Sequence, residues 1–241
     1  MAIDLLKQLF AGYVYGYGGL RIHSKDSYTN ITHLECEHFR NLGRALGYIG
    51  NREYSRMDLV WQEPIDTTAS SRSDEIVLYM ERETDCSRFF TDALKKLHEW
   101  DDAHPNMETV LVGLGGWITK DRLQGSGKDT LEGQIQDFRK TGSQKDVLLI
   151  TWIGPTKDEP KLVMATAIYR NIPTDRNTPT PPVQYAYARP NLLPSSYWDL
   201  YPIDKDGKDS MTLDWLQPNK PIWGSWPGKK GSNWDNLYQQ L

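Results

Sequence analysis

The stretch "SDEIVLYMERETD", residues 73–85, decides how the chain is read. Ile76 to Met80 are strand formers, and the run ends in Glu81, Arg82 and Glu83. Residues two apart in a strand share a face, so Glu75, Val77, Tyr79, Glu81 and Glu83 fall on one side. Ile76, Leu78, Met80 and Arg82 fall on the other. Two carboxylates aimed at one place repel each other unless water or a cation separates them. A strand that ends this way is either a solvated edge or a cation site.

The flanking segments narrow the choice. Upstream, "MDLVWQ" at 57–62 has the apolar content of a short strand and carries Asp58. The polar connector "PIDTTASSRSDE" between them predicts an antiparallel pair that places Asp58 near Glu81. A helix is predicted over 30–48, where Ile31, Leu34, His38, Leu42 and Ala45 recur at helical spacing. Downstream, Phe90, Ala93, Leu94 and Leu97 predict a helix over 87–101. "ETVLVGLG" at 108–115 reads as a buried strand, and residues 129–140 as a helix. "DVLLITWI" at 146–153 has the continuous apolar character of a strand covered on both faces. "KLVMATAIYR" at 161–170 is a further strand. Strands alternating with helices predict an α/β core with a mixed β-sheet.

The 241 residues suffice for one large domain with a sizeable core. Charged residues make up 25% and the net charge is −4, so no global attraction draws the chain to nucleic acid or anionic lipid. Only Cys36 and Cys86 are present, which argues against a disulfide framework and fits a cytoplasmic protein. No secretory signal or membrane-spanning run is read, so no membrane association is expected. Composition changes near residue 171. The segment 171–241 holds 10 of the 14 prolines and 5 of the 9 tryptophans. It predicts an irregular Trp/Pro-rich C-terminal extension packed on a core of residues 1–170, since free tails are poor in aromatics.

Asp58 on one strand, twenty-two intervening residues, then Glu81-Arg82-Glu83 on the next, resembles the motif of the PD-(D/E)xK nuclease superfamily. Many restriction endonucleases belong to that family. The order helix, Asp strand, Glu strand, helix, strand is similar too, and covers residues 30–170. The resemblance implies a restriction-endonuclease-like sheet and a metal-dependent endonuclease acting on nucleic acid, with DNA as the expected substrate. It implies that Asp58 and Glu81 hold Mg²⁺ or Mn²⁺ and that Glu83 activates water, aided by Glu35 on the preceding helix. Two departures stand out: Met57 replaces the proline before the Asp, and Glu83 replaces the lysine. Cutting both strands of a duplex calls for two sites, so a homodimer fits the resemblance.

Glu35 lies at the edge of the apolar face of its helix, where it either points inward to a partner or closes a capping box with Thr32. Arg56, two residues before Asp58, would share its strand face, and Arg56 and Lys128 are the candidate nucleic-acid contacts. "GSGKDT" at 125–130 lacks the first glycine of a phosphate loop, and "GLGG" at 113–116 lacks the third glycine of a dinucleotide fingerprint. Both read as turns. "YVYGYGG" at 13–19 reads as packing tyrosines or a stacking surface. Two other classes remain open. One is a non-catalytic binding or scaffold protein with an aromatic C-terminal surface. The other is a glycosidase using paired carboxylates.

Overall fold

The computed structural model describes residues 2–20, 22, 26–54, 56–64, 75–83, 85, 88–104, 109–118, 122, 125, 127, 130–139, 145–153, 163–170, 183–188 and 222–224. Lys128, Trp198, Trp215, Trp226 and Trp234 lie outside these residues. The described chain builds a mixed sheet of eight strands whose order in space is their order in sequence. The strands are β1 (Ile49–Tyr54), β2 (Met57–Gln62), β3 (Ile76–Glu83), β4 (Val110–Ile118), β5 (Asp146–Ile153), β6 (Val163–Arg170), β7 (Gln184–Ala188) and β8 (Ile222–Gly224). The pairs β3–β4 and β4–β5 are parallel and all others antiparallel. The predicted α/β class therefore holds, and the sheet continues past residue 171 through β7 and β8.

Helices cover both faces. On one side lie α1 (Ala2–Gly16) and α2 (Tyr28–Ala45). Leu6, Phe10, Tyr13, Cys36 and Phe39 pack there against Leu59, Trp61, Leu78, Met80, Val112 and Leu148. On the other side lie α3 (Leu94–Ala103) and α4 (Leu131–Phe138). Leu94, Leu97, Leu131 and Ile135 pack against Val60, Tyr79, Leu111 and Leu149. Each parallel step thus crosses over through a helix on that side, as parallel neighbours require.

The tyrosines at 13 and 17 are core residues. Leu6, Leu9, Phe10, Tyr13, Val14 and Tyr17 recur at helical spacing and are buried. Tyr17 meets the Trp152 ring edge-on at 4.3 Å. α2 starts earlier than its periodicity suggests, because Ser27 caps it by accepting from the Asn30 N–H. Thr32 is therefore inside the helix and no capping box with Glu35 forms. Of the stretch 125–130, Gly125, Gly127 and Thr130 are described: the Thr130 hydroxyl donates to the carbonyls of Gly125 and Gly127 and accepts from the Gly133 N–H at the start of α4.

The "GLGG" stretch is not a turn. Gly113 and Gly115 lie inside β4, paired with Glu81 and Glu83 of β3. They face the helical layer on this side. A single π-helical turn, Phe89–Ala93, leads into α3. A Cβ on Gly115 would lie 2.8 Å from the Phe89 ring, and one on Gly113 would lie 2.8 Å from Leu149. Without glycine there, the π turn and α3 could not approach the end of β3. At its other end α3 is fixed by a buried ion pair, Lys145 Nζ to Asp101 Oδ1 at 2.7 Å, with Lys145 also donating to the His104 carbonyl at 2.7 Å.

No helix among the described residues is long and apolar enough to cross a membrane.

The close approach yields a test. Gly115→Ala should destabilise the fold by about 1–3 kcal/mol in urea unfolding, since overpacking forces Phe89 to move. Gly19→Ala, where an added Cβ meets nothing within 4 Å, should stay within about 0.5 kcal/mol of the parent.

Candidate active site at the end of strand β3

The antiparallel register of β2 and β3 pairs Leu59 with Met80. Continued by one residue, it sets Asp58 opposite Glu81. Cross-strand partners share a face, so both carboxylates point to the side covered by α3. Tyr79, Glu81 and Glu83 follow one another on that face, as alternation requires. The pairing of Asp58 with Glu81 is thus a consequence of strand register, and the register is held by the alternation of Leu59, Trp61, Leu78 and Met80 into the opposite core.

Lys96, on the first turn of α3, completes this group. Its ammonium donates to Glu81 Oε1 and Oε2, each at 2.9 Å, and to the Arg56 carbonyl, also at 2.9 Å. Arg56 is not a strand residue beside Asp58. It occupies the turn between β1 and β2 with φ +72, a left-handed backbone uncommon outside glycine, and its carbonyl faces Lys96. The glycines of β4 and the π turn place α3 near enough for Lys96 to reach.

Glu83 has its own partners. Oε1 accepts from the Asp85 N–H at 3.0 Å, and Oε2 lies 3.6 Å from Arg88 Nε. Arg88 is shared with Asp92 at 3.2 Å. Each member of the Glu81/Glu83 pair therefore has a cation beside it, which is how the strand tolerates two acids on one face. Glu81, Glu83, Arg88, Thr91, Asp92 and Lys96 line a cleft of about 600 Å³ that opens to solvent.

Glu35 lies elsewhere. It is fully buried under the opposite face, where Oε1 accepts from the Tyr13 hydroxyl at 2.7 Å and Oε2 from Arg82 Nε at 2.5 Å. Arg82 connects the two faces. Its side chain pairs with Glu35 below the sheet, while its backbone N–H donates to Asp58 Oδ2 at 2.7 Å. Both side chains of the ion pair are almost wholly buried, at 4% and 0% exposure. Burial works against the Arg82 cation, but the charge and hydrogen bond of Glu35 outweigh it and hold the guanidinium pKa above its ordinary value. His38 is a packing residue, its ring pressed against Gly16, with burial holding its pKa down.

Electrostatics mark Glu81 and Asp58. Burial, then the charge of Asp58, push the Glu81 carboxyl up to about 7, with Lys96 pulling the other way. Burial also raises Asp58, opposed by the Arg82 N–H and by Lys96. A carboxyl pushed up by burial and a neighbouring acid, and lining a cleft as Glu81 does, is a group that binds cations or exchanges protons. Among the described residues, no three His, Cys, Asp or Glu side chains are gathered as a metal-holding group. Glu81, with Asp58 opposite it and the Arg56 carbonyl near it, offers oxygens that a cation could use.

Lys96 was not singled out by the sequence reading. The signal was its place on the helix directly after the acidic strand, next to the apolar positions Ala93 and Leu97. Lys128 lies outside the described residues.

The raised Glu81 pKa has a definite consequence for stability. The folded protein holds a proton there between about pH 4.5 and 7 that the unfolded chain does not, so the slope of stability with pH is negative in that window. In a chelator, stability should fall by about 3 kcal/mol as pH rises through it. Glu81→Gln should flatten that segment of a pH series of urea midpoints. Arg82→Met leaves Glu35 buried without its cation and should cost about 3–5 kcal/mol in the same assay. Comparison of the chain with protein families and with curated proteins finds no match in either, so the chemistry of the site is read from its own residues.

Proposed function

We propose that the protein is a metal-dependent endonuclease of the PD-(D/E)xK kind, cleaving phosphodiester bonds of DNA with Mg²⁺ or Mn²⁺. The observation that carries this reading is the opposition of Asp58 and Glu81 across β2 and β3, with the Lys96 ammonium 2.9 Å from both Glu81 oxygens. The family pattern asks for an Asp, a Glu and a Lys at one strand end, and the chain offers all three once α3 is folded over β3. The element order α2, β1, β2, β3, α3, β4 supports the same reading.

The donor set suits a hard divalent cation, which takes one or two carboxylates and completes its shell with water and phosphate oxygens. Asp58 and Glu81 would hold it. Such an ion neutralises charge on the phosphate and makes bound water acidic enough to attack. The chain supplies the rest. Arg82 N–H fixes Asp58 Oδ2, and Glu35 with Tyr13 fixes Arg82, so Glu35 is a positioning residue acting from the far face. Lys96 takes the place of the motif lysine that Glu83 replaces, and its ammonium offsets negative charge on the phosphate. Glu83 lines the cleft and holds Arg88 at its rim for contact with the phosphate backbone.

A cleavage assay on single- and double-stranded DNA and RNA, with Mg²⁺, Mn²⁺ or chelator, tests this. The expected result is ion-dependent cleavage of DNA. Asp58→Asn and Glu81→Gln should each lower it by at least about 10³-fold, Lys96→Met by about 10²–10³-fold, the cost of losing one charge-stabilising donor. Glu83→Gln should cost about tenfold or less. Cleavage that persists in both Asp58→Asn and Glu81→Gln would overturn the reading. So would a wild type inactive on every substrate with either ion, which would favour a non-catalytic binding protein.

A further inference from the structure

The three oxygens around Lys96 form a cation site that the protein fills with its own side chain. Glu81 Oε1, Glu81 Oε2 and the Arg56 carbonyl each lie 2.9 Å from Nζ. Arg56 adopts a left-handed backbone at the point where its carbonyl meets that ammonium. An ammonium in this position and a divalent ion on Glu81 compete, because both draw on the same two carboxylate oxygens and both are positive. Resting on the nuclease reading, we propose that Lys96 is an intrinsic competitor for the divalent ion. In the ion-free protein it occupies the Glu81 carboxylate, and it swings into the cleft when the ion binds.

The exposure of the two partners says which one moves. The Glu81 side chain is 5% exposed and fixed in a strand paired on both sides, whereas the Lys96 side chain is 43% exposed on a helix surface. Lys96 can leave Glu81 more easily than Glu81 can leave Lys96, since its long stem lines a cleft that opens to solvent. It also has a place to go: Asp92, four residues before it, lines the same cleft and can accept the ammonium alongside Arg88, while Glu99 stays with Lys95 at 3.5 Å. The exchange keeps the acids neutralised in both states. Without the ion, Lys96 offsets the repulsion between Asp58 and Glu81. With it, the ammonium is released on the side from which a phosphate enters.

The inference separates two effects of one residue that a fixed catalytic lysine would not separate. Removing Lys96 should weaken cleavage and strengthen ion binding. Calorimetric titration with Mn²⁺ alone should show Lys96→Met and Lys96→Gln binding the ion at least tenfold more tightly than wild type, and Glu81→Gln binding none. In unmodified protein, acylation of Lys96 by a water-soluble active ester, followed by mass spectrometry, should speed up severalfold when Mn²⁺ is added. Lys95, 69% exposed, is the internal control and should label at an unchanged rate. The labelling needs no variant, so it decides the matter even if a substitution at 96 prevents folding. The inference is overturned if wild type binds Mn²⁺ while the Lys96 variants bind it equally or less tightly, or while Lys96 labelling does not rise. If neither wild type nor variants bind Mn²⁺ and no nucleic acid is cleaved, the nuclease reading itself fails and the competition with it.

Discussion

A guanidinium buried beneath a β-sheet governs the layout of this molecule. Arg82 is kept in the core of the α1/α2 face by Glu35, which neutralises it while the Tyr13 hydroxyl occupies the other Glu35 oxygen. Taking two charges out of water costs several kcal/mol each, and such a pair is stable only with good geometry and full hydrogen bonding. Three elements are thereby fixed to one another: α1 through Tyr13, α2 through Glu35 and β3 through Arg82. Because alternation puts Glu81 and Glu83 on the face opposite Arg82, fixing Arg82 inward fixes the acids outward. The same residue's N–H then sets Asp58 of β2. One ion pair on the far side thus determines where the near-side carboxylates stand.

The near side is arranged by proximity rather than by a buried pair. Gly113 and Gly115 remove the side-chain layer between β4 and the helical layer, and Phe89 fills the space with its ring. The Asp101–Lys145 ion pair holds the other end of α3. Between these two anchors, Lys96 is carried over Glu81. The π turn belongs to this arrangement, since wide turns of this kind occur where a helix must be adjusted around a site. Positive charge meets the acids from a neighbouring element instead of from their own strand.

Much of this was legible in the sequence, and the reason differs from element to element. β5 was readable to the residue because a strand covered on both faces leaves an unbroken apolar run. The pairing of β2 with β3 followed from two strand-like runs joined by a polar connector, and with it the opposition of Asp58 and Glu81. β4 was half legible. Its glycines looked like punctuation, since glycine weakens strands and marks turns, whereas here they admit a helix to close contact. Helix α1 was obscured by glycines and tyrosines whose spacing carries its buried face. The Glu35–Arg82 pair joins residues 47 apart through the thickness of a layer, and no local pattern records that. Lys96 was hidden for a related reason: a lysine on an amphipathic helix looks like solvated surface until the helix is docked.

The strand order has a consequence for how the chain is made. Each strand in the described sheet lies beside its predecessor in sequence, from β1 to β8. During synthesis from the N-terminus, every new strand therefore meets an edge that is already present, and no strand must wait for a later one to be inserted beside it. Residues 2–118 contain both helices of the first face, the acids of β2 and β3, the helix that carries Lys96, and the glycines that receive it. The Lys145 anchor and the packing of Leu149 of β5 under α3 arrive afterwards. The cleft is thus assembled early and the later strands extend the far edge of the sheet. Changes of length beyond β5 can accumulate at that edge without passing through the machinery at the other end.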